Sequence, residues 1–292
     1  GGITMQPSEV MKLAAVLAMS AYLVRRQEEV RSRAMGFVKP LVALFFVVMF
    51  LMLEPDFGAS IVVIMATTCM LFLAGAPLKQ FLAVMGTVTL AGIPVVMMES
   101  YRMKRLLAFT DPWADQYNTG YQLVQSLIAF GRGDWFGVGL GHSVQKLFYL
   151  PEAHTDYIFS VIGEEFGLIA CAVIVILYCA IVIRVMMRLA DEEDLFTVLA
   201  AAGLTAQLAG QAFINILVNL QLFPSKGMTL PLVSYGGSST IALCLTIGFL
   251  LAITRRNPYL SRDKFNFRAA LGLGPRKPAA GPGGRVASKE QA

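Results

Sequence analysis

The chain has 292 residues, of which 56% are hydrophobic and 15% are charged, and its formal net charge is +5. Soluble domains are nearer about half apolar and about a quarter charged, so a soluble globule, a disordered chain and a disulfide scaffold are disfavoured. A polytopic membrane protein remains. All four cysteines lie in apolar runs and resemble core residues rather than metal ligands or disulfide partners: Cys69, Cys171, Cys179 and Cys244.

Seven apolar stretches approach the roughly 20 residues that a helix needs to cross a bilayer. They are continuous and do not alternate, which favours helices over a strand barrel. The sequence therefore predicts an all-α, polytopic membrane bundle. The chain begins with Gly1 rather than Met, and we expect it to be part of a longer protein. The stretches are 7–24, 37–53, 57–76, 80–98, 157–183, 195–220 and 229–254.

Basic residues predict the orientation of these spans, because they concentrate in cytoplasmic loops. They cluster after the first span, after the fifth span and in the tail, three regions that fall on one side when seven spans are threaded. We expect a membrane domain at 1–256 that includes an exterior loop at 99–156, followed by a disordered basic tail at 257–292. The tail's charge fits topology and attraction to anionic lipid; a partner site is the alternative. The residues after the first and fifth spans are Arg25, Arg26, Arg31, Arg33, Lys39, Arg184 and Arg188.

The exterior loop opens with Arg102, Lys104 and Arg105, which oppose the usual cytoplasmic bias of positive charge. They could pair with nearby aspartates or lipid head groups, or they could bind an anionic substrate. The glycine-rich run at 131–141 lacks a Walker pattern, and we interpret it as a flexible turn region at the membrane interface.

The densest cluster of protonatable groups is Glu152, His154 and Asp156, at the exterior end of the fifth span. Pro151 favours an extended approach in which these side chains share one side, and Thr155 is a candidate N-cap. The alternatives are a catalytic cluster or an aspartate that only complements the helix dipole. The spacing does not diagnose a metal site.

Charged residues inside the spans are costly and need partners. Glu164 and Glu165 fall about two turns into the fifth span, and Lys12 falls about one turn into the first. We expect a buried ion pair between Glu164 and Lys12 that fixes helix packing, with a functional carboxylate as the alternative.

The last span is preceded by an irregular run at 224–239 that holds paired glycines. Irregular backbone at membrane depth is tolerated where it lines a cavity, so the free amides could bind an anion. A simple helix kink is the alternative. The candidate anion-binding residues here are Lys226, Ser234, Gly236, Gly237 and Ser238.

Five motifs in this order resemble the SEDS family of shape, elongation, division and sporulation proteins. Ala153 is more like the cell-division branch, since the elongation branch usually has arginine there. Departures at Tyr157 and at 219–221 are not expected to touch the chemistry. The motifs are GITMQPSEVMKLA (2–14), EPDFGAS (54–60), GYQLVQSLIAFGRG (120–133), GLGHSVQKLFYLPEAHTDYIFSVIGEEFG (139–167) and FPSKGMTLPLVSYGGSS (223–239).

The resemblance implies an inner-membrane peptidoglycan glycosyltransferase with about ten transmembrane helices, of which the fourth to tenth are visible here. Its substrate would be lipid II, its leaving group undecaprenyl pyrophosphate and its reaction inverting, with the active site on the periplasmic side of the division septum. The family's essential aspartate maps onto Asp156, the expected general base. Partners would be a class B penicillin-binding protein and other division proteins, with no nucleic acid.

The pyrophosphate needs positive charge, for which the exterior cations are Arg102, Lys104, Arg105, Lys146 and Lys226. Glu152 and His154 complete the candidate substrate-binding set. No cofactor is certain; a divalent cation, Mg²⁺ or Mn²⁺, held by Asp156 and phosphate oxygens could share this work. A lipid II flippase and a non-catalytic division scaffold are the alternative functions.

Overall fold

The computed structural model describes residues 6–32, 34–54, 56–77, 79, 81–83, 86–87, 90, 94, 109–118, 120–224 and 227–254. Most of the predicted span at 80–98 lies outside these residues, as do Arg102, Lys104, Arg105, Lys226 and the predicted tail at 257–292.

The all-α prediction is confirmed: the described part of the chain is helices joined by turns. Four helices are long and apolar enough to cross a membrane, and Phe57–Leu73 and Gly237–Ala252 are shorter apolar helices. A 3₁₀ turn at Pro112–Asp115 and a π turn at Gln145–Tyr149 lie in the segment predicted to be an exterior loop. The helices are α1 (Pro7–Arg25), α2 (Gln27–Ser32), α3 (Ala34–Leu53), α4 (Phe57–Leu73), α5 (Tyr121–Gly133), α6 (Ile158–Leu189), α7 (Leu195–Asn219) and α8 (Gly237–Thr254).

Local signals explain where several helices begin. Pro7 occupies the first turn of α1, where its missing N–H costs nothing. Asp56 caps α4 by accepting a hydrogen bond from the amide of Ala59 at 2.9 Å, and Asp194 caps α7 through the amide of Thr197 at 2.8 Å. The helices therefore start at defined residues at both ends of the bundle.

Helix α7 is the centre of the bundle and packs against α1, α4, α6 and α8. In its apolar window 78% of residues are buried, against 17% for α6, which faces outward. One hydrophobic cluster joins the ends that the basic residues assign to the cytoplasm, including Leu23, Leu189 and Leu195. A second cluster, including Tyr157 and Met228, joins the opposite ends.

Helix α6 is broken at Gly167, where φ is +75° and ψ is −172°. The loop after α5 fills the break: Leu168 donates its amide hydrogen to the carbonyl of Asp134, and Val138 donates to that of Glu164, both at 2.9 Å. A Cβ at position 167 would lie 2.4 Å from the carbonyl oxygen of Trp135, so this position requires glycine. The glycine-rich run does contain turns, as predicted, and its middle part at 133–138 forms a closely packed joint with α6.

Candidate active site

A polar cavity of about 220 Å³ lies at the end of the bundle that the basic residues predict to be the outer one, between the starts of α1, α4 and α8 and the turn before α6. It brings together side chains that are distant in sequence. Its charged lining residues are Glu9, Lys12, Asp56 and Asp156, and its polar lining residues include Gln6, Gln211, Thr229, Ser238 and Ser239. The predicted catalytic residue, Asp156, therefore lies in a cavity. Lys12, which was expected to pair with Glu164, lines the same cavity.

The backbone of Asp156 is held from α7. Its carbonyl oxygen accepts hydrogen bonds from the amide groups of Asn215 at 2.8 Å and Asn219 at 3.0 Å. Asn215 also donates to the carbonyl of Met228, which ties the loop before α8 to the same point. A Cβ at Gly227 would lie 3.1 Å from a carboxylate oxygen of Asp156, so the missing side chain gives that carboxylate its space. Asn219, not expected to touch the chemistry, is an anchor of Asp156.

Lys12 is almost fully buried, and its ammonium group lies 2.9 Å from Glu9 and 2.8 Å from the side-chain oxygen of Gln211. Gln211 in turn donates to the carbonyl and hydroxyl oxygens of Thr229. The predicted ion pair between Lys12 and Glu164 is wrong. Lys12 is paired within its own helix, since residues three apart share a face, and both members of the pair line the cavity.

The loop before α8 contributes backbone more than side chains. Gly236 and Ser238 line the cavity at the N-terminus of α8, where unpaired amides favour anions. Ser234 is structural instead: it donates to the carbonyl of Thr155 at 2.5 Å and accepts from the amide of Leu230 at 2.7 Å. Gly237 is the first residue of α8.

The turn at 151–156 differs from the extended approach predicted for it. Glu152 adopts a positive φ of 55°, and its carbonyl accepts the amides of Thr155 and Asp156. Thr155 donates its hydroxyl to Glu152 and does not cap α6, which begins at Ile158. Glu152 and His154 are exposed and do not line the cavity. Of the three residues predicted to share one side, only Asp156 therefore lines the cavity.

Glu164 and Glu165 belong to a network at the break in α6. Glu164 is fully buried, lies 2.8 Å from Arg132 and accepts hydrogen bonds from the hydroxyl of Ser143 and from two backbone amides. Glu165 lies 2.6 Å from Lys146. Lys146, a predicted pyrophosphate ligand, is therefore an ion-pair partner that holds the loop before α6 to that helix.

Two features of the site were missed at the level of sequence. Asp56 appeared only as part of the EPDFGAS motif (54–60), yet it lines the cavity. Gln207, Gln211, Asn215 and Asn219 recur every four residues on an apolar helix, which places them on one face, and this spacing could have revealed the polar side of α7.

The arrangement can accept a proton at a carboxylate and stabilise negative charge with Lys12 and the N-terminus of α8. No group of three His, Cys, Asp or Glu residues close enough to hold a metal ion occurs among the described residues. Asp56 and Asp156 do line one cavity, and Mg²⁺ often binds through one or two carboxylates together with substrate phosphates. A cation here would therefore need the substrate for its remaining ligands.

Comparison with known proteins decides the family. A family model covering FtsW, RodA and SpoVE, described as "Cell cycle protein", matches residues 1–259. The chain belongs to this family. It is 50% identical over 260 residues to a probable peptidoglycan glycosyltransferase FtsW from Hahella chejuensis, and 50% identical over 264 residues to one from Legionella pneumophila. The expected resemblance to the cell-division branch of the SEDS family is confirmed.

These matches cover 87% and 89% of this chain, and the chain spans 64% and 67% of those two relatives. Among solved structures, a peptidoglycan synthase complex described as coordinating polymerization and crosslinking matches with a TM-score of 0.73 and 27% identity, over 89% of this chain and 72% of that one. Thermus thermophilus RodA matches with a TM-score of 0.59 and 27% identity, over 86% and 66% of the two chains. This FtsW/RodA/SpoVE family member is thus a multi-pass protein of the bacterial inner membrane.

Proposed function

We propose that the protein is a peptidoglycan glycosyltransferase that polymerises lipid II during septal wall synthesis. The observation that carries the proposal is the outer cavity, in which Asp156, the Glu9–Lys12 pair and the N-terminus of α8 meet. The relatives named as probable peptidoglycan glycosyltransferases support the same reaction.

In the proposed reaction, Asp156 removes the proton from the 4-hydroxyl of an acceptor GlcNAc. The hydroxyl oxygen then forms a bond to the anomeric carbon of the donor MurNAc, while the bond from that carbon to the pyrophosphate oxygen breaks. Undecaprenyl pyrophosphate leaves with the bonding electrons, and attack opposite the leaving group inverts the anomeric centre. Lys12 and the amides that open α8 stabilise the negative charge of the departing pyrophosphate.

Asp156→Asn tests this mechanism, because an amide keeps the shape of the side chain but cannot take the proton. The purified full-length variant, supplied with lipid II in detergent, should form no glycan strands while keeping the wild-type melting temperature. Asp191→Asn makes the same change at the other end of the bundle and should leave activity unchanged. Normal strand synthesis by Asp156→Asn would remove Asp156 from the mechanism.

The same assay separates the alternatives. A flippase needs a membrane to move lipid II across, and a scaffold needs no substrate, so neither predicts strand synthesis in detergent. Polymerisation that depends on Asp156 therefore supports the transferase alone.

We infer further that the protein works at the septum with a class B penicillin-binding protein, with its site facing the periplasm. The similarity to a peptidoglycan synthase complex supports such a partner. Co-purification of the full-length protein from membranes is the test, and repeated failure to recover the transpeptidase would count against the pairing.

A further inference from the structure

An exposed apolar patch lies on the loop that fills the break in α6. It consists of Trp135, Phe136, Val138 and Leu140, with exposed fractions of 59%, 81%, 36% and 73%. The backbone of this loop is fixed by hydrogen bonds to both sides of the break. The four side chains are therefore exposed on a loop whose backbone is hydrogen-bonded to α6.

The loop reaches this position because α5 runs beside α6 in the same direction, inward from the outer end of the bundle. Ser126 meets Ser160 at 2.5 Å, and further along α5 a Cβ on Gly133 would collide with the carbonyl of Gly163. The chain then turns at 134–140 and returns toward Asp156. Residues 121–156 thus form a hairpin. Both of its ends lie at the outer end of the bundle, and its turn at 134–140 lies beside the break in α6.

Helix lengths place the break at the level of the outer membrane boundary. Leu168–Leu189 alone is about 33 Å long at 1.5 Å per residue, close to the roughly 30 Å of hydrocarbon. Helix α7 covers the distance from Leu195, beside Leu189, to Asn215, beside Asp156, in about 30 Å. The first part of α6, Ile158–Phe166, adds about 13 Å that the crossing does not need. Glu164 and Glu165 therefore lie near the outer membrane boundary, and not two turns inside the span as the sequence predicted.

The residues around the patch fit an interface between lipid and water. Phe166, Leu168 and Ile169 extend the exposed apolar surface along α6. Asp134 is exposed beside Trp135. It limits how deeply the loop can enter the membrane, since a carboxylate in hydrocarbon is costly. Arg132 and Lys146 are each more than one third exposed and can face lipid phosphates.

We propose that residues 134–140 insert into the outer leaflet and bind the phospholipid surface, although they belong to the loop that the charge pattern assigns to the periplasm. Tryptophan and phenylalanine favour this interface, because their rings are apolar while the indole N–H can meet head groups. Through the Glu165–Lys146 pair, the inserted loop holds the Asp156 turn at the bilayer surface.

The two tryptophans of this chain, Trp113 and Trp135, give a direct test in lipid nanodiscs. In the whole protein, every tryptophan except the one probed is replaced by phenylalanine. Lipids brominated near the ester end should quench Trp135 at least about twofold more than Trp113, and aqueous iodide should quench Trp113 at least about twofold more. Trp113 is the matched control, since it is 53% exposed on the same exterior segment.

A second readout does not depend on tryptophan replacement. In a background without native cysteines, Phe136→Cys should resist an impermeant thiol reagent in nanodiscs, while Asn118→Cys reacts. Equal iodide quenching of both tryptophans with no effect of brominated lipid would overturn the proposal. Protection of Trp135 from both quenchers would also overturn it, because the patch would then be covered by protein.

Discussion

Removing the charge from Glu164 should destabilise the protein far more than the same change at its neighbour Glu165. The two oxygens of Glu164 accept from four donors: Arg132 at 2.8 Å, Ser143 at 2.5 Å and the amides of Val144 and Gln145 at 3.3 and 3.2 Å. In Glu164→Gln one oxygen becomes an NH₂ group, so two donors are left without an acceptor and face another donor.

The magnitude follows from the hydrogen bonds that this substitution removes. A hydrogen bond to a charged group contributes roughly 1.5–3 kcal/mol, and the ion pair with Arg132 is discounted because that side chain is 41% exposed. Glu164→Gln should therefore lower the free energy of unfolding by about 3 kcal/mol. Glu165→Gln should cost about 1 kcal/mol, since Lys146 is 36% exposed and can be hydrated instead.

Thermal unfolding of both purified variants in detergent measures the difference. We expect Glu164→Gln to melt about 6–12 °C below wild type and Glu165→Gln about 2–4 °C below it. Glycan synthesis by Glu164→Gln, per folded molecule, should remain substantial because Glu164 is outside the cavity. A fully stable but inactive Glu164→Gln would refute this reasoning and place the carboxylate on the reaction path, which would favour the flippase.

Other changes test the break, the orientation and the anchor of Asp156. Gly167→Ala should cost about 2–4 kcal/mol in thermal unfolding, because a Cβ there strains φ and strikes the Trp135 carbonyl; Gly131→Ala, with open space around it, should be neutral or stabilising, and equal losses would contradict the joint. Asn118→Cys should react with an impermeant thiol reagent on intact spheroplasts, and labelling only after lysis would reverse the topology. Asn215→Leu should cost about 2–4 kcal/mol, because the Met228 carbonyl loses its side-chain donor and the Asp156 carbonyl keeps only Asn219 of its two side-chain donors. It should also reduce kcat in the residual folded fraction, and an unchanged kcat would mean that this anchor does not position the site.

The helices could be predicted from sequence because hydropathy depends on local composition. Continuous apolar runs placed α1, α3, α4, α6, α7 and α8, with ends shifted by up to six residues in α6 and eight residues in α8. The break in α6 could not be predicted, because it depends on a distant segment. The loop that begins at Asp134 exchanges backbone hydrogen bonds with residues on both sides of Gly167, in place of bonds within the helix. The sequence of α6 alone does not identify the loop that forms these hydrogen bonds.

The site was predicted in part for a similar reason. Asp156 was found because a charged turn precedes an apolar helix, and that pattern is local. The partners of Lys12 and Glu164 were assigned wrongly. A charge inside a span is expected to have a partner of opposite charge, but the sequence does not identify which residue that partner is. Helix register decides that choice: it gives Lys12 to Glu9 and Gln211, and it gives Glu164 to Arg132.

The side-chain amides of Asn215 and Asn219 hold the backbone carbonyl of residue 156, which is separate from its reactive carboxylate. Replacing that carboxylate with an amide therefore removes the reactive group and keeps both of these bonds to the turn. In a cell that holds both gene copies, such a variant would be made, inserted and recruited like the normal protein, and it would occupy substrate without consuming it. Loss of function at position 156 should accordingly be genetically dominant, whereas loss through misfolding at Asn215 should be recessive.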